Sequence, residues 1–181
     1  MKEVNRALFL PEDMRSRVSE DAPLPIGYGQ TNSQPSTVRD MLEWLDVQPG
    51  ERVLDVGSGS GWTTALLGHL AGKGGRVYAV ERIPQLVHLG RHNCRAAGVE
   101  NVSFFQASET LGLPEKAPFH KILVSAGARK LPLELVRQLK TGGKMVIPVG
   151  YSILEVTKVF HDELRVVTHE GFLFVPLIEE G

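Results

Sequence analysis

The run Arg52-Val53-Leu54-Asp55-Val56-Gly57-Ser58-Gly59-Ser60-Gly61 decides how the rest of the chain is read. Its first five residues are mostly β-branched or apolar, and the run has the length of a buried strand. Three alternate glycines follow, and then Trp62, Ala65, Leu66 and Leu70 recur at helical spacing. A strand, a glycine loop and a helix in that order give a tight turn and close backbone approach to a ligand. They also leave free amide N–H groups at the helix N-terminus.

Downstream, the same alternation continues. Arg76–Val80 reads as a strand, and a helix runs from about Pro84 to Ala97 and stops at Gly98. Val102–Gln106 and Lys121–Ser125 read as further strands. Pro132–Leu139 reads as a helix, with Leu131, Leu135 and Leu139 on one face, and Gly142–Gly143 turns into a strand at Lys144–Pro148. Strands alternating with helices pair in parallel through right-handed crossovers, so the fold class is α/β with a doubly wound, mostly parallel sheet. Past Gly150, Ile153–Phe160 and Leu164–Thr168 are β-rich and separated by His161-Asp162-Glu163, with Phe172–Leu177 a third run. These predict an antiparallel C-terminal end. Upstream, Ser33 is placed to cap a helix carrying Val38, Met41, Leu42 and Leu45 on one face. Pro11, Pro23, Pro25, Gly27 and Gly29 make residues 1–32 read as irregular. No internal repeat interrupts the pattern. Residues 1–181 read as one domain, with the α/β core at 33–150 and the antiparallel strands at 151–181.

Glu81 ends the strand after the glycine loop, about 20 residues on, where a carboxylate can grip a pair of ribose hydroxyls. The alternative is a glycine turn with no ligand. A dinucleotide loop would be Gly-x-Gly-x-x-Gly around a pyrophosphate. This one is Gly-x-Gly-x-Gly behind an acid, Asp55, which would repel a pyrophosphate. It also lacks the Lys-Ser/Thr of a P-loop.

The motif Val53-Leu54-Asp55-Val56-Gly57-Ser58-Gly59-Ser60-Gly61 resembles the first motif of the class I methyltransferases, which are Rossmann-like. The resemblance implies that S-adenosylmethionine is the cofactor. It implies that Asp55, Gly57, Ser58, Gly59 and Gly61 lie beside its amino-acid end, with Glu81 and the adjacent Arg82 at the ribose. A narrower resemblance covers about Val4 to Leu177. Pro23-Leu24-Pro25-Ile26-Gly27-Tyr28-Gly29-Gln30-Thr31-Asn32-Ser33-Gln34-Pro35 is similar to the segment that marks the protein-L-isoaspartate O-methyltransferases. So are Ala117-Pro118-Phe119, Gln138-Leu139-Lys140 before two glycines, Val146-Ile147-Pro148-Val149-Gly150 and Phe174-Val175-Pro176-Leu177. The implied substrate is the free carboxylate of an L-isoaspartyl residue in damaged protein or peptide. Ser33 would sit at that carboxylate beside the methyl group, and Gln30, Thr31 and Ser33 would close over the cofactor. A plain helix cap is the alternative for Ser33.

Methyl transfer to a carboxylate needs little acid–base machinery, because a free aspartyl or α-carboxyl group ionises at roughly pH 3.5–4. Alignment and removal of water supply most of the catalysis. A sequence with no nucleophile–base pair and no metal-ligand set fits this chemistry.

The chain departs from the family in three places. The family's Gly-Asp-Gly after the third strand is Ala107-Ser108-Glu109 here, so contact with adenine falls to Ser108 or Glu109. An acid before the fourth strand is replaced by His120, which reads as a solvent or loop contact. The helical segment before the Val-Asp-Arg-like start, here Val4-Asn5-Arg6, is mostly missing. His88 and His92 stand i, i+4 without a third ligand and read as a solvated face. Cys94 reads as a small core residue, and Arg91, Arg95, Arg129 and Lys130 as surface charge.

A formal charge of −1, with both signs scattered, gives no support for a nucleic-acid or anionic-membrane surface. One cysteine forms no internal disulfide, and Met1–Phe9 lacks the apolar core of a signal peptide. No stretch approaches the ~18 apolar residues of a membrane span. These readings predict a soluble, cytoplasmic protein and leave its oligomeric state open. Two other functions remain. One is a class I methyltransferase for tRNA or a small molecule, since Val53–Val102 is similar to tRNA adenosine and precorrin methyltransferases. Against base methylation, Ser125-Ala126-Gly127-Ala128 lacks the Asn/Asp-Pro-Pro-aromatic motif. The other is a cofactor-binding protein without transferase activity.

Overall fold

The computed structural model describes residues 3–160 and 163–178. His161 and Asp162, in the expected connection between two C-terminal strands, lie outside the described residues.

Seven strands form one sheet. They are β3 (Arg52–Val56), β4 (Arg76–Glu81), β5 (Val102–Gln106), β6 (Phe119–Val124), β7 (Leu139–Val149), β8 (Ser152–Phe160) and β9 (Glu163–Glu170). A separate two-stranded hairpin, β1 (Leu24–Gly27) and β2 (Gln30–Asn32), precedes them. The order is β5-β4-β3-β6-β7-β8-β9, parallel from β5 to β7 and antiparallel beyond. Helices α2 (Trp62–Ala71), α3 (Pro84–Ala96) and α4 (Leu133–Gln138) make the crossovers, and α1 (Pro35–Leu45) precedes the sheet.

Side chains alternate across a strand, so β3 feeds two cores. Val53 packs with α1, α2 and α3 through Leu45, Leu66 and Val87. Leu54 and Val56 face the other way, with Leu135 and Val136 of α4, Ile122 and Met145. Being covered on both faces, the central parallel strands carry unbroken apolar runs such as Val53-Leu54 of β3 and Ile122-Leu123-Val124 of β6. Chain order reverses at β3, since β4 and β5 lie to one side and β6 to the other. Ligands of open α/β sheets bind in the crevice beyond the strand ends at such a switch.

Four local expectations need correction. Ser33 does not cap α1. Pro35 occupies the first helical turn and Gln34 is the cap residue, with no side-chain capping bond. A proline fixes N1 and holds its predecessor extended, which leaves Ser33 outside the helix. Asp21 serves instead, accepting from the Ser36 amide at 2.8 Å and from Gln34 Nε2 at 3.2 Å. Residues 1–32 are more regular than their prolines and glycines implied, holding 3₁₀ turns at Arg6–Phe9 and Glu12–Arg17 besides the hairpin. The expected turn at Gly142–Gly143 lies inside β7, whose register against β6 jumps from Phe119↔Leu139 to Lys121↔Lys144. Phe172–Leu177 is not a third antiparallel strand. It crosses back to the end of β6, where Gly127 donates to the Val175 carbonyl at 2.7 Å and accepts from the Leu177 amide at 2.8 Å.

No helix among the described residues is long and apolar enough to cross a membrane.

Candidate active site

A cavity of about 750 Å³ opens beyond the carboxyl ends of β3, β4, β5 and β6. Its floor is Gly57, Ser58, Gly59 and Ser60 after β3, with Glu81 and Arg82 at the end of β4. Ser108 and Glu109 line it after β5, and Ser125 and Ala126 after β6. One wall comes from Gln30, Thr31, Asn32 and Ser33, and another from Lys130, Leu133, Glu134 and Arg137. The crossing tail closes the rim with Val175 and Leu177.

The glycine loop is locked to the strand beside it. The Gly57 and Ser58 amides both donate to the Val80 carbonyl, at 2.9 and 3.2 Å. Glu81 is 7% exposed, and its two oxygens accept from the amides of Gly59 and Ile83, each at 2.9 Å. Each oxygen keeps lone-pair capacity for a further donor. Ser58 lines the cavity at 4% exposure, and its hydroxyl has no partner among the described residues.

Asp55 and Gly61, grouped with this loop on sequence, lie behind the lining rather than in it. Asp55 points to the α2 side of the sheet and is fully buried. Its Oδ2 accepts from Thr64 at 2.6 Å and Thr63 at 3.2 Å, while Oδ1 has no partner among the described residues. Burial pushes its carboxyl up to about 6; the two threonine hydroxyls oppose the shift and the charge on Glu81 adds to it. Gly61, at φ +91°, is where α2 meets α3. A Cβ there would stand 3.0 Å from both Cα and the carbonyl oxygen of Gly90. Cys94 is buried on the same contact, and burial, then Asp55, pushes its thiol up to about 12.

Ser33 borders the cavity and its carbonyl is held by Arg6 at 3.1 Å. Its hydroxyl makes no hydrogen bond among the described residues. Arg6 is 5% exposed and also donates to Asn32 Oδ1 at 2.8 Å and to the carbonyls of Glu20 and Ala22 at 2.9 and 2.8 Å. Its guanidinium lies 5.2 Å from the centre of the Trp62 ring. Burial pulls this guanidinium below its ordinary range, opposed by Asp21 and Glu20.

The Ser108 hydroxyl donates to the Thr110 carbonyl at 3.3 Å. His120 lies outside the cavity lining; it accepts the Arg52 amide on Nδ1 at 3.1 Å, with Lys140 Nζ 3.3 Å from Nε2. His88 and His92 belong to no cluster of three or more possible metal ligands among the described residues.

A family model described as Protein-L-isoaspartate(D-aspartate) O-methyltransferase (PCMT) matches residues 1–181, the whole chain. The chain belongs to this family. A protein-L-isoaspartate O-methyltransferase of Aeropyrum pernix is 48% identical over 99% of this chain and 71% of its own length. A solved protein-L-isoaspartate O-methyltransferase superposes with a TM-score of 0.88 at 28% identity, over 97% of this chain and 58% of that one, so this chain spans under two thirds of that protein. A putative protein-L-isoaspartate O-methyltransferase from Plasmodium falciparum, solved with S-adenosyl-L-homocysteine, has a TM-score of 0.87 at 26% identity, over 99% and 88% of the two chains.

Within this protein-L-isoaspartate O-methyltransferase framework, the cavity gathers Gln30, Thr31, Ser33, Gly57, Ser58, Gly59, Glu81, Arg82, Ser108 and Glu109. Sequence reasoning missed Arg6, Trp62, Arg137 and the Val175–Leu177 rim, and it took the cavity residue Lys130 for plain surface charge. The tail carried a signal, since Phe174-Val175-Pro176-Leu177 was one of the matching motifs. Arg6 stands in the Val4-Asn5-Arg6 start set against the family's, but nothing in that reading ties it to Ser33 or Trp62.

Proposed function

We infer that this chain transfers the methyl group of S-adenosylmethionine to the free carboxylate of L-isoaspartyl residues in damaged proteins or peptides. The observation that carries this is the whole-chain family match, seen together with a cavity bordered on one side by the glycine loop and Glu81 and on the other by Ser33. The cavity volume is in the usual range for a small-molecule site, roughly 300–1,000 Å³. A buried, unpartnered Ser58 hydroxyl and the spare lone pairs of Glu81 fit the polar groups of the donor.

The donor supplies an electrophilic methyl carried on a sulfonium. In our reading Glu81 accepts the ribose hydroxyls, with Arg82 beside it. Gly57, Ser58 and Gly59 pass the amino-acid end, and Ser108 or Glu109 meets the adenine. Asp55 and Gly61 act from behind, holding the loop's shape through Thr63, Thr64 and Gly90. The accepting carboxylate is already ionised at neutral pH, so no residue has to remove a proton. Ser33 donates a hydrogen bond to that carboxylate and fixes its approach. Gln30 and Thr31 exclude water from the line between carboxylate and methyl, so that alignment and desolvation lower the barrier.

We propose further that residues 1–181 act as one methyltransferase domain, on protein or peptide rather than nucleic acid, in the cytoplasm. Transfer of labelled methyl from S-adenosylmethionine to matched isoaspartyl peptide, aspartyl peptide and tRNA tests the substrate. Labelling of the isoaspartyl peptide alone is expected. Equal labelling of both peptides, or of tRNA only, overturns it.

A further inference from the structure

Arg6 does not itself line the cavity, yet it is among the most heavily bonded side chains of the described residues. Its Nε donates to Asn32 Oδ1 at 2.8 Å, and its terminal nitrogens reach the Ser33 carbonyl at 3.1 Å and the backbone at Glu20 and Ala22. The same guanidinium lies over Trp62, the first residue of α2 and the continuation of the glycine loop. One planar cation therefore touches both sides of the cavity. On one side it grips the backbone of the Gln30–Ser33 wall, and on the other it rests on the head of the helix that the donor loop opens.

We propose that Arg6 is a positioning residue for methyl transfer, setting the distance between the Ser33 wall and the glycine loop across which donor and acceptor must line up. This rests on the reading of Ser33 as the residue that meets the acceptor carboxylate. The chemistry of the side chain makes the assignment specific. A guanidinium presents five N–H donors in a rigid plane and can cover several carbonyls while stacking on a ring. A lysine ammonium keeps the charge but has three donors on one atom and cannot span the same acceptors. Arg6→Lys therefore relaxes the geometry without removing the charge. A misplacement of about 1 Å in a reacting pair can cost on the order of 100-fold in rate.

The test compares wild type, Arg6→Lys, Ser33→Ala and the double variant as full chains. The readouts are kcat on an isoaspartyl peptide at saturating donor, calorimetric affinity for S-adenosylhomocysteine, Tm, and amide hydrogen exchange of residues 24–36. Arg6→Lys is expected to lower kcat roughly 10- to 100-fold. The loss of affinity should be far smaller, exchange should be faster in residues 24–36 only, and little further loss should appear in the Ser33→Ala background. A lower Tm with kcat unchanged, or a kcat loss that fully adds to that of Ser33→Ala, overturns the proposal. If Arg6→Lys does not fold, Asn32→Leu removes one acceptor of the same fork, and kcat and local exchange are read on it by the same criteria. If Ser33→Ala is itself fully active, the role of Ser33 fails, and Arg6 is judged by its own kcat and exchange. If wild type binds S-adenosylhomocysteine but methylates no isoaspartyl peptide, the substrate reading fails. Exchange confined to residues 24–36 then decides whether Arg6 holds the wall.

Discussion

The amide of Gly59 donates to the carboxylate of Glu81 at 2.9 Å, joining the glycine loop after β3 to the end of β4. The other Glu81 oxygen takes the Ile83 amide, so one side chain sets the loop, the strand end and the entry to α3. In our reading the same carboxylate is the acceptor for the donor's ribose.

Glu81→Ala should weaken S-adenosylhomocysteine binding by about 1.5–3 kcal/mol, the scale of hydrogen bonds to a charged group. It should also lower Tm, because two partly buried amides lose their acceptor. Glu81→Gln should recover only part of the affinity, since its NH₂ faces one of those amides with a second donor. Calorimetry on folded variants checks this; an unchanged dissociation constant for Glu81→Ala returns the residue to a purely structural role.

Asp55 gives a pH signature. Its carboxyl titrates at about 6 in the fold against an ordinary 3.8, so the native state holds its proton more tightly than the unfolded chain does. The stabilisation is therefore complete below about pH 4 and is lost as pH rises through 6. The total is about 3 kcal/mol at 1.36 kcal/mol per unit. Asp55→Asn should remove this dependence while Thr64 keeps an acceptor. Urea unfolding of both proteins from pH 4 to 8 is the measurement. The stability of wild type relative to Asp55→Asn should fall between about pH 4 and 6 and level off above. A flat difference overturns the assignment.

At the adenine end, Ser108→Asp should be tolerated and should tighten S-adenosylhomocysteine binding by roughly 3- to 10-fold, the worth of one added hydrogen bond. Glu109→Ala reports whether the neighbouring acid takes that role instead. A liganded structure with both side chains turned to solvent rules out the contact.

Ser33→Ala should reduce kcat/KM for an isoaspartyl peptide by about 10- to 150-fold, from roughly 1.5–3 kcal/mol of lost hydrogen bonding and alignment. Donor affinity should move much less. Wild-type rate should be nearly flat above about pH 5, because the acceptor is already ionised. Since Ser33 does not cap α1, the variant should also keep its Tm. Full activity in the variant removes Ser33 from the reaction.

The core of the fold was legible because its signals are local. Arg52–Val56 and Val102–Gln106 stand where their β-rich composition put them, and Gly98 ends α3. Much of what escaped depends on contacts distant in sequence, although the proline that displaces Ser33 is local. Ser33 looks like a cap until Pro35 takes the first helical turn and Asp21 arrives from another segment to bond Ser36. Phe172–Leu177 has the composition of a strand, but its partner is the single residue Gly127 at the end of β6 rather than β9. The candidate site divides the same way. Glycine spacing and the Glu81 offset marked the donor side, while the clamp of Arg6 on Ser33 has no spacing to betray it.

The tail that pairs with Gly127 sets an order of assembly. The loop after β3 and its tie to Glu81 involve segments made early in synthesis, so a chain still emerging from the ribosome can shape the donor side. The rim at Val175 and Leu177 comes from the last part of the described chain and must travel back beside β6. In our reading the loop side holds the donor and the late-arriving rim helps enclose the acceptor, so competence to bind would precede competence to transfer. A purified chain ending before Phe172 should retain S-adenosylhomocysteine binding and lack methyl transfer.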